Sequence, residues 1–385
     1  MSGNVLRLAC TAAVAAQIAL VPPAAPPAAA EPAPGTRSVA GLLTDLQRLY
    51  REAEKATEAY NATEEELSKR RAQAERLDAA LARTRLSLHE RRQAAGLLAR
   101  RQYQSRTDLS PYLRLLLARD PQHALDQGQV IGRLARERAE AVARLTGSER
   151  RAGELARRAR KALDDRLALA ERRKRERDEV RRRLREVERL LASLSSRQLA
   201  GLAELERRGT ARAQERFLAS GVLGDDAKPS AAGETAVRFA VEQIGKPYVW
   251  GAEGPGAYDC SGLTSRAWAR AGTAIPRTSQ EQWARLERID LGELRPGDLI
   301  VYFPEATHVA LYLGDGMVVQ APRPGARVKV SPIAANPVLG AVRPDPGGEP
   351  VRRYTPPRLP AGASEGSDEG HAAGYAPAAP ETSIR

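Results

Sequence analysis

The sequence predicts a long all-α coiled-coil hairpin followed by a smaller globular domain containing both helix and strand. Three observations carry this. The chain has 385 residues, beyond the roughly 250 to 300 at which a single hydrophobic core stops growing. Its charge is segregated: residues 38–222 hold 42 Lys and Arg against 28 Asp and Glu, whereas residues 231–345 hold 12 of each. The aromatics segregate the other way, since all three Trp and nine of the sixteen aromatic residues fall within 231–345. The second unit has the ingredients of a core, and the first does not.

Residues 1–30 read as a signal peptide. Arg7 is the cationic start, Leu8 to Val21 the apolar run, and Ala28-Ala29-Ala30 the small-residue cleavage signature. The run is shorter than the roughly 20 apolar residues a span needs, so secretion is expected over anchoring, with an extracellular or cell-wall-associated product. The overall charge of +13 raises nucleic acid as a partner on composition alone; export excludes it. Two Cys rule out a disulfide scaffold. Removal of the leader leaves Cys260 alone.

Residues 38–218 are expected to form the hairpin. Tyr60, Leu67, Ala74, Leu81 and Leu88 recur every seven residues, with Leu77 on the adjacent seam. Ile131, Leu134, Ala141, Leu145, Ala152, Leu155, Ala159 and Ala162 repeat the pattern, followed after a phase shift by Val180, Leu184, Val187, Leu191 and Leu194. Ser110-Pro111 and Asp120-Pro121 each place a capping residue before a first-turn proline, so the chain breaks and restarts between the two stretches. A single extended helix that dimerises through the same seam is the alternative. Leu113, Leu115 and Leu116 concentrate apolar surface at the expected tip, as a docking site for a membrane-protein activator or as a satellite cluster folded back on the hairpin. Residues 219–232 read as a flexible linker, and residues 346–385, rich in Pro, Gly, Ala and Ser, as a disordered tail.

The chemistry lies in residues 233–345. Asp259 is placed to cap a helix that runs through Trp268 to Gly272, which puts the Cys260 thiol in the first turn, where unpaired N–H groups favour the thiolate. The charge of Asp259 opposes this, so a basic partner is required. His308 is the single histidine of the domain, and it heads the alternating strand His308-Val309-Ala310-Leu311-Tyr312-Leu313. A helix-start cysteine and a strand-end histidine point to a Cys–His nucleophilic pair. One Cys and one His leave two zinc ligand positions unfilled, and no cofactor is expected.

Lys246-Pro247-Tyr248-Val249-Trp250-Gly251, Asp259-Cys260-Ser261-Gly262-Leu263, Arg295-Pro296-Gly297-Asp298-Leu299 and the His308 strand resemble the successive signatures of the NlpC-type cysteine peptidases of the bacterial cell wall. The resemblance covers about residues 233–343. It implies an α+β papain-like C-terminal catalytic domain preceded by the hairpin, and hydrolysis of peptidoglycan stem peptides between D-iso-glutamate and a diamino acid. It makes Cys260 the nucleophile, His308 the base and Tyr248 an active-site hydroxyl. The third catalytic position departs from the commonest pattern, which has His there; this chain has Gln320, whose carbonyl oxygen can still hold the imidazole.

Strand geometry bears on Gln320 independently. A three-residue Gly314-Asp315-Gly316 loop with a bulge pairs Ala310 with Gln320 and sets Gln320 on the His308 face, whereas a plain two-residue turn sets it on the other. The bulged loop is expected. Asp259 and Ser261 either grip substrate or only cap the helix, and Trp250 either lines the groove or packs in the core. The hairpin could cover the active site until a membrane partner moves it. The competing function is an adaptor that binds peptidoglycan and activates another hydrolase.

Overall fold

Helices α1 (Val39–Gln104) and α2 (Pro121–Ala192) lie antiparallel in the computed structural model, which describes residues 38–104, 120–224 and 227–365. Ion pairs set the register, with Glu52 on Arg183, Glu64 on Arg173 and Arg92 on Glu149; the α2 number falls as the α1 number rises. Leu67, Ala74, Leu81 and Leu88 are buried along the predicted seam, as are Ala159, Ala162, Val180, Leu184 and Val187 on α2. Asp120 caps α2 by accepting from the Gln122 N–H, with Pro121 at the first position. Leu134, expected on the seam, is 45% exposed, because the register carries it past the end of α1, where no described helix covers it. Among the described residues no helix is long and apolar enough to cross a membrane. The expected signal peptide over 1–30, the tip with Leu113, Leu115 and Leu116, and residues 366–385 lie outside the described residues.

A single hairpin over 38–218 is not what forms. Helix α2 ends at Ala192, and a capping box between Ser195 and Gln198 starts a separate helix α3 (Ser196–Ala219). It docks on the C-terminal domain: Gln214 Nε2 donates to Gly316 O at 2.9 Å, and Gln214 Oε1 accepts from Ala334 N–H at 3.1 Å. Phe217 and Leu223 pack on the sheet beneath. Part of the expected linker 219–232 is therefore ordered, and Ser230 caps helix α4 (Ala231–Glu242) by accepting from Gly233 N–H at 2.9 Å.

The C-terminal domain adds helices α5 (Cys260–Arg270) and α6 (Ser279–Arg285). Its antiparallel sheet comprises β1 (Glu287–Ile289), β2 (Leu299–Tyr302), β3 (His308–Gly314), β4 (Met317–Gln320), β5 (Lys329–Pro332) and β6 (Val338–Arg343), in the order β1-β6-β2-β3-β4-β5. Both faces are covered. Leu299, Val301, Val309, Leu311 and Val319 pack with residues of α4 and α5, while Ile300, Tyr302, Ala310, Tyr312 and Val318 face Phe217 of α3. This is why β2 reads as a continuous apolar run rather than an alternating one.

The Arg295–Asp298 turn ties these layers together. Asp298 accepts from Arg343 Nε and Nη2 at 2.9 and 2.8 Å and from Arg295 N–H at 2.8 Å, and Trp268 Nε1 donates to Gly297 O at 3.1 Å. Residues 346–365, expected to be disordered, are also held. Arg295 Nη1 donates to Gly348 O at 2.7 Å, Val351 N–H to Pro229 O at 2.9 Å, and Val330 N–H to Ala363 O at 2.8 Å. Strand β5 is an edge, and the chain after Asp345 supplies an acceptor for its outward N–H.

Gly297 sits at φ 105°, and a Cβ there would stand 2.7 Å from Gly233 Cα. Gly297→Ala is therefore expected to destabilise the C-terminal domain by about 2 kcal/mol, read as a lowered denaturant midpoint. An unchanged midpoint would show that the turn does not clamp α4.

Candidate active site

The site forms where the start of α5 meets the start of β3. Asp259 caps α5, its Oδ1 accepting from Gly262 N–H at 2.6 Å, and Cys260 takes the first helical position. The Val309 backbone, adjacent to His308, lies close enough to the Cys260 thiol to favour its ionised form. Tyr248 is buried and close enough to Cys260 for their charges to interact.

Gln320 reaches His308 through the β3–β4 hairpin. Leu311 pairs with Val319, Tyr312 with Val318 and Gly314 with Met317, and the register shifts between Tyr312 and Gly314. The expected three-residue loop is instead a two-residue Asp315-Gly316 turn, with φ 51° and 68°; the extra residue is taken up as a bulge at Leu313. The effect on the far end of the hairpin is the predicted one. Gln320 Oε1 lies 2.7 Å from His308 Nε2. An amide oxygen can only accept, so Nε2 carries the proton and Nδ1 is the basic nitrogen of the ring.

Helix α1 runs across this constellation. Glu54 Oε1 is 3.5 Å from His308 Nδ1. Glu58 Oε1 accepts from Ser261 Oγ at 2.9 Å and lies 3.9 Å from Cys260 Sγ, while its Oε2 accepts from Ser279 N–H at 2.9 Å. Asn61 Nδ2 donates to Asp259 Oδ2 at 3.0 Å. Tyr60 meets Trp250 edge to face at 5.0 Å. Residues 54, 58 and 61 share one helical face, and Cys260 is only 2% exposed beneath it.

The buried charges interact strongly. Burial pushes the Cys260 thiol well above its ordinary range, and Glu58, Asp259 and Glu54 push it the same way; the Val309 backbone opposes them. Burial also raises Glu54 to about 8, with Glu58 adding and Arg323 and Arg51 opposing. Burial and then Asp259 raise Glu58 to about 7, against the Ser279 N–H, Arg277 and Ser261. The thiol and both arm carboxyls are therefore driven toward their neutral forms. Tyr248 is likewise pushed well up, by burial and then Cys260.

Of the residues singled out in the sequence, the structure places Cys260, His308, Gln320, Tyr248, Asp259 and Ser261 in one region. Trp250 stands at the rim, half-buried under Tyr60. Sequence reasoning missed Arg277, whose Nη1 and Nη2 donate to the two oxygens of Asp259 at 3.1 and 2.8 Å and whose Nη1 also donates to Ser261 Oγ at 2.9 Å. This is a cationic counterweight to Asp259, supplied by an arginine. It also missed Ser279 and the three arm residues. Polar positions 54, 58 and 61 beside the apolar Leu46, Leu49, Tyr50 and Ala53 were the available signal for a second contact face.

Residues 245–340 match the NlpC/P60 family. A probable endopeptidase of Corynebacterium glutamicum is 47% identical over 96 residues, 25% of this chain and 46% of that protein. A probable endopeptidase of Mycobacterium tuberculosis is 38% identical over 108 residues, 28% of each chain. The chain thus spans less than half the length of these curated relatives. Among solved structures, the NlpC/p60 domain of the peptidoglycan hydrolase SagA is 33% identical with a TM-score of 0.28, over 29% of this chain and 97% of that one. RipD of Mycobacterium tuberculosis, described as a non-catalytic NlpC/p60 protein adapted to peptidoglycan binding, is 31% identical with a TM-score of 0.27, over 29% and 96%. Residues 245–340 of this chain are an NlpC/P60 domain.

Proposed function

We propose that the chain is a secreted, cell-wall-associated cysteine endopeptidase that cleaves peptidoglycan stem peptides between D-iso-glutamate and a diamino acid, and that its helical arm holds it closed. The observation that carries this reading is the ordered line from Cys260 at a helix start, through His308 at the adjacent strand start, to Gln320 Oε1 at 2.7 Å from His308 Nε2.

In the open enzyme, His308 Nδ1 takes the Cys260 proton, and the thiolate attacks the scissile carbonyl carbon. The oxyanion is held by the Cys260 backbone N–H and Tyr248. As the C–N bond breaks, Nδ1–H protonates the leaving amine. Water, deprotonated by Nδ1, then attacks the thioester carbonyl and expels the thiolate. Ser261 Oγ and Ser279 N–H, which grip the Glu58 carboxylate, are suited to a substrate carboxylate on the acyl side. Asp259 and Trp250 would become available there as Asn61 and Tyr60 withdraw.

Closure follows from the same contacts, since Glu54 and Glu58 stand at the basic nitrogen and the thiol. A second reading, an adaptor that binds peptidoglycan and activates another hydrolase, draws on the buried, neutral thiol. The two differ in one result. Wild-type protein should release muropeptides from purified peptidoglycan that Cys260→Ala does not, and identical products from both would leave only the adaptor. Gln320→Ala should lower kcat by roughly ten- to a hundredfold, while Gln320→Glu, which keeps an acceptor, retains most activity. Equal rates from Gln320→Ala and wild type would remove Gln320 from the mechanism.

Closure should weaken as pH rises. The two carboxyls titrate near 8 and 7 when buried and near 4.5 when free, so the closed form binds more protons. Its stabilisation is full below about pH 4.5 and is lost as pH rises through 7 to 8. Activity of the full chain, relative to Glu54→Gln/Glu58→Gln, should increase on the order of tenfold across that window. A ratio independent of pH would contradict titration of the latch.

A further inference from the structure

Arg323 follows β4 by three residues and is held in a way that the mechanism does not use. Its Nη2 pairs with Glu206 Oε1 of α3 at 2.8 Å, and its guanidinium lies 4.4 Å from the Tyr50 ring of α1. Both partners belong to the arm. Its side chain is 11% exposed, and Nε is buried without a hydrogen-bond partner. Together with Glu54, Gln320 and Phe303 it lines a cleft of about 750 Å³ between the arm and the catalytic domain. When the arm withdraws, Arg323 loses its carboxylate and keeps its charge.

Helix α1 serves as a ruler along this groove. Tyr50 marks Arg323, Glu54 marks His308, and Glu58 marks Cys260, Ser261 and Ser279. Four residues of helix span about 6 Å, so Arg323 lies roughly that far beyond His308, on the side away from Ser261. His308 protonates the leaving amine, so the half of the substrate that departs lies on the Arg323 side. A side chain of four or five bonds reaches from that amine to Arg323.

Resting on the peptidase reading above, we infer that Arg323 is a specificity-determining residue that binds a carboxylate at the far end of the leaving diamino acid's side chain. Glu206 occupies that seat in the closed chain. A diaminopimelate side chain ends in an ammonium and a carboxylate on one carbon; a lysine side chain ends in the ammonium alone and offers the guanidinium no acceptor. Discrimination thus rests on the carboxylate, which pairs with the guanidinium and offsets the repulsion of the ammonium that both side chains carry.

The test uses the full chain and L-Ala-γ-D-Glu-X peptides with a C-terminal carboxamide, where X is meso-diaminopimelate, its side-chain amide or L-lysine. The carboxamide removes the terminal carboxylate as a source of the effect. Selectivity is a ratio of kcat/KM values, so the fraction of open molecules cancels. The free diaminopimelate peptide should be preferred by roughly tenfold or more. Arg323→Gln should bring the three peptides within about threefold of one another by losing that contact, while Arg323→Lys keeps part of the preference. A ratio unchanged in Arg323→Gln, or no discrimination by wild type, would mean that Arg323 only straps the arm, with the peptidase reading intact. Absence of cleavage of all three peptides by wild type would overturn both.

Discussion

The Glu58 carboxylate is the contact on which the closed arrangement depends. It lies under α1 with no solvent around it, and a buried carboxylate costs several kcal/mol unless donors or a proton compensate. Here the compensation is shared. Ser261 Oγ and Ser279 N–H donate to it, and its acidity is lowered toward the neutral form. The donors come from the catalytic domain and the carboxyl from the arm, so neither part is satisfied without the other. Glu54 at His308, Asn61 at Asp259 and Tyr60 at Trp250 extend the same seam. A contact built from buried polar groups is specific in register and conditional on charge, which suits the reversible closure proposed above.

Charge balance around Cys260 follows from this. Asp259 caps the helix that presents the thiol, and its negative charge alone would disfavour the thiolate. Arg277 cancels much of that charge through two hydrogen bonds to the Asp259 carboxylate. With the arm in place, burial tips the balance back, and Glu58 and Glu54 add to it. Removing the arm takes away the burial and two of the three acidic contributions while leaving Arg277. On the proposed reading, one helix controls both access to Cys260 and its ionisation.

The reach of sequence reasoning followed how local each cause is. The Asp259 cap, the alternation from His308 and the turn at Asp315-Gly316 depend on a few adjacent residues, and they place Cys260, His308 and Gln320. Even there, the bulge fell at Leu313 rather than in the loop, because a two-residue turn with two left-handed residues already satisfies the strand twist. Arg277 and Ser279 lie more than fifteen residues from Cys260, and only the packing of α6 on α5 brings them in. The break before Ser195 was readable as a capping box, but that α3 then docks on the sheet depends on Phe217 and Gln214 finding partners far along the chain. Glu54 and Glu58 look like a solvated face until the surface they meet is known. The chain beyond Asp345 reads as disordered by composition, yet the edge of β5 and Arg295 hold it.

The rate at which Cys260 is alkylated in the folded full chain tests the central claim most directly. Iodoacetamide labelling, followed by mass at the Cys260 peptide, reports both access and thiolate fraction. At neutral pH, Glu54→Ala/Glu58→Ala should label at least tenfold faster than wild type, because a shift of one pKa unit alone changes the thiolate fraction tenfold. Equal rates, with both proteins folded, would contradict closure by the arm carboxylates.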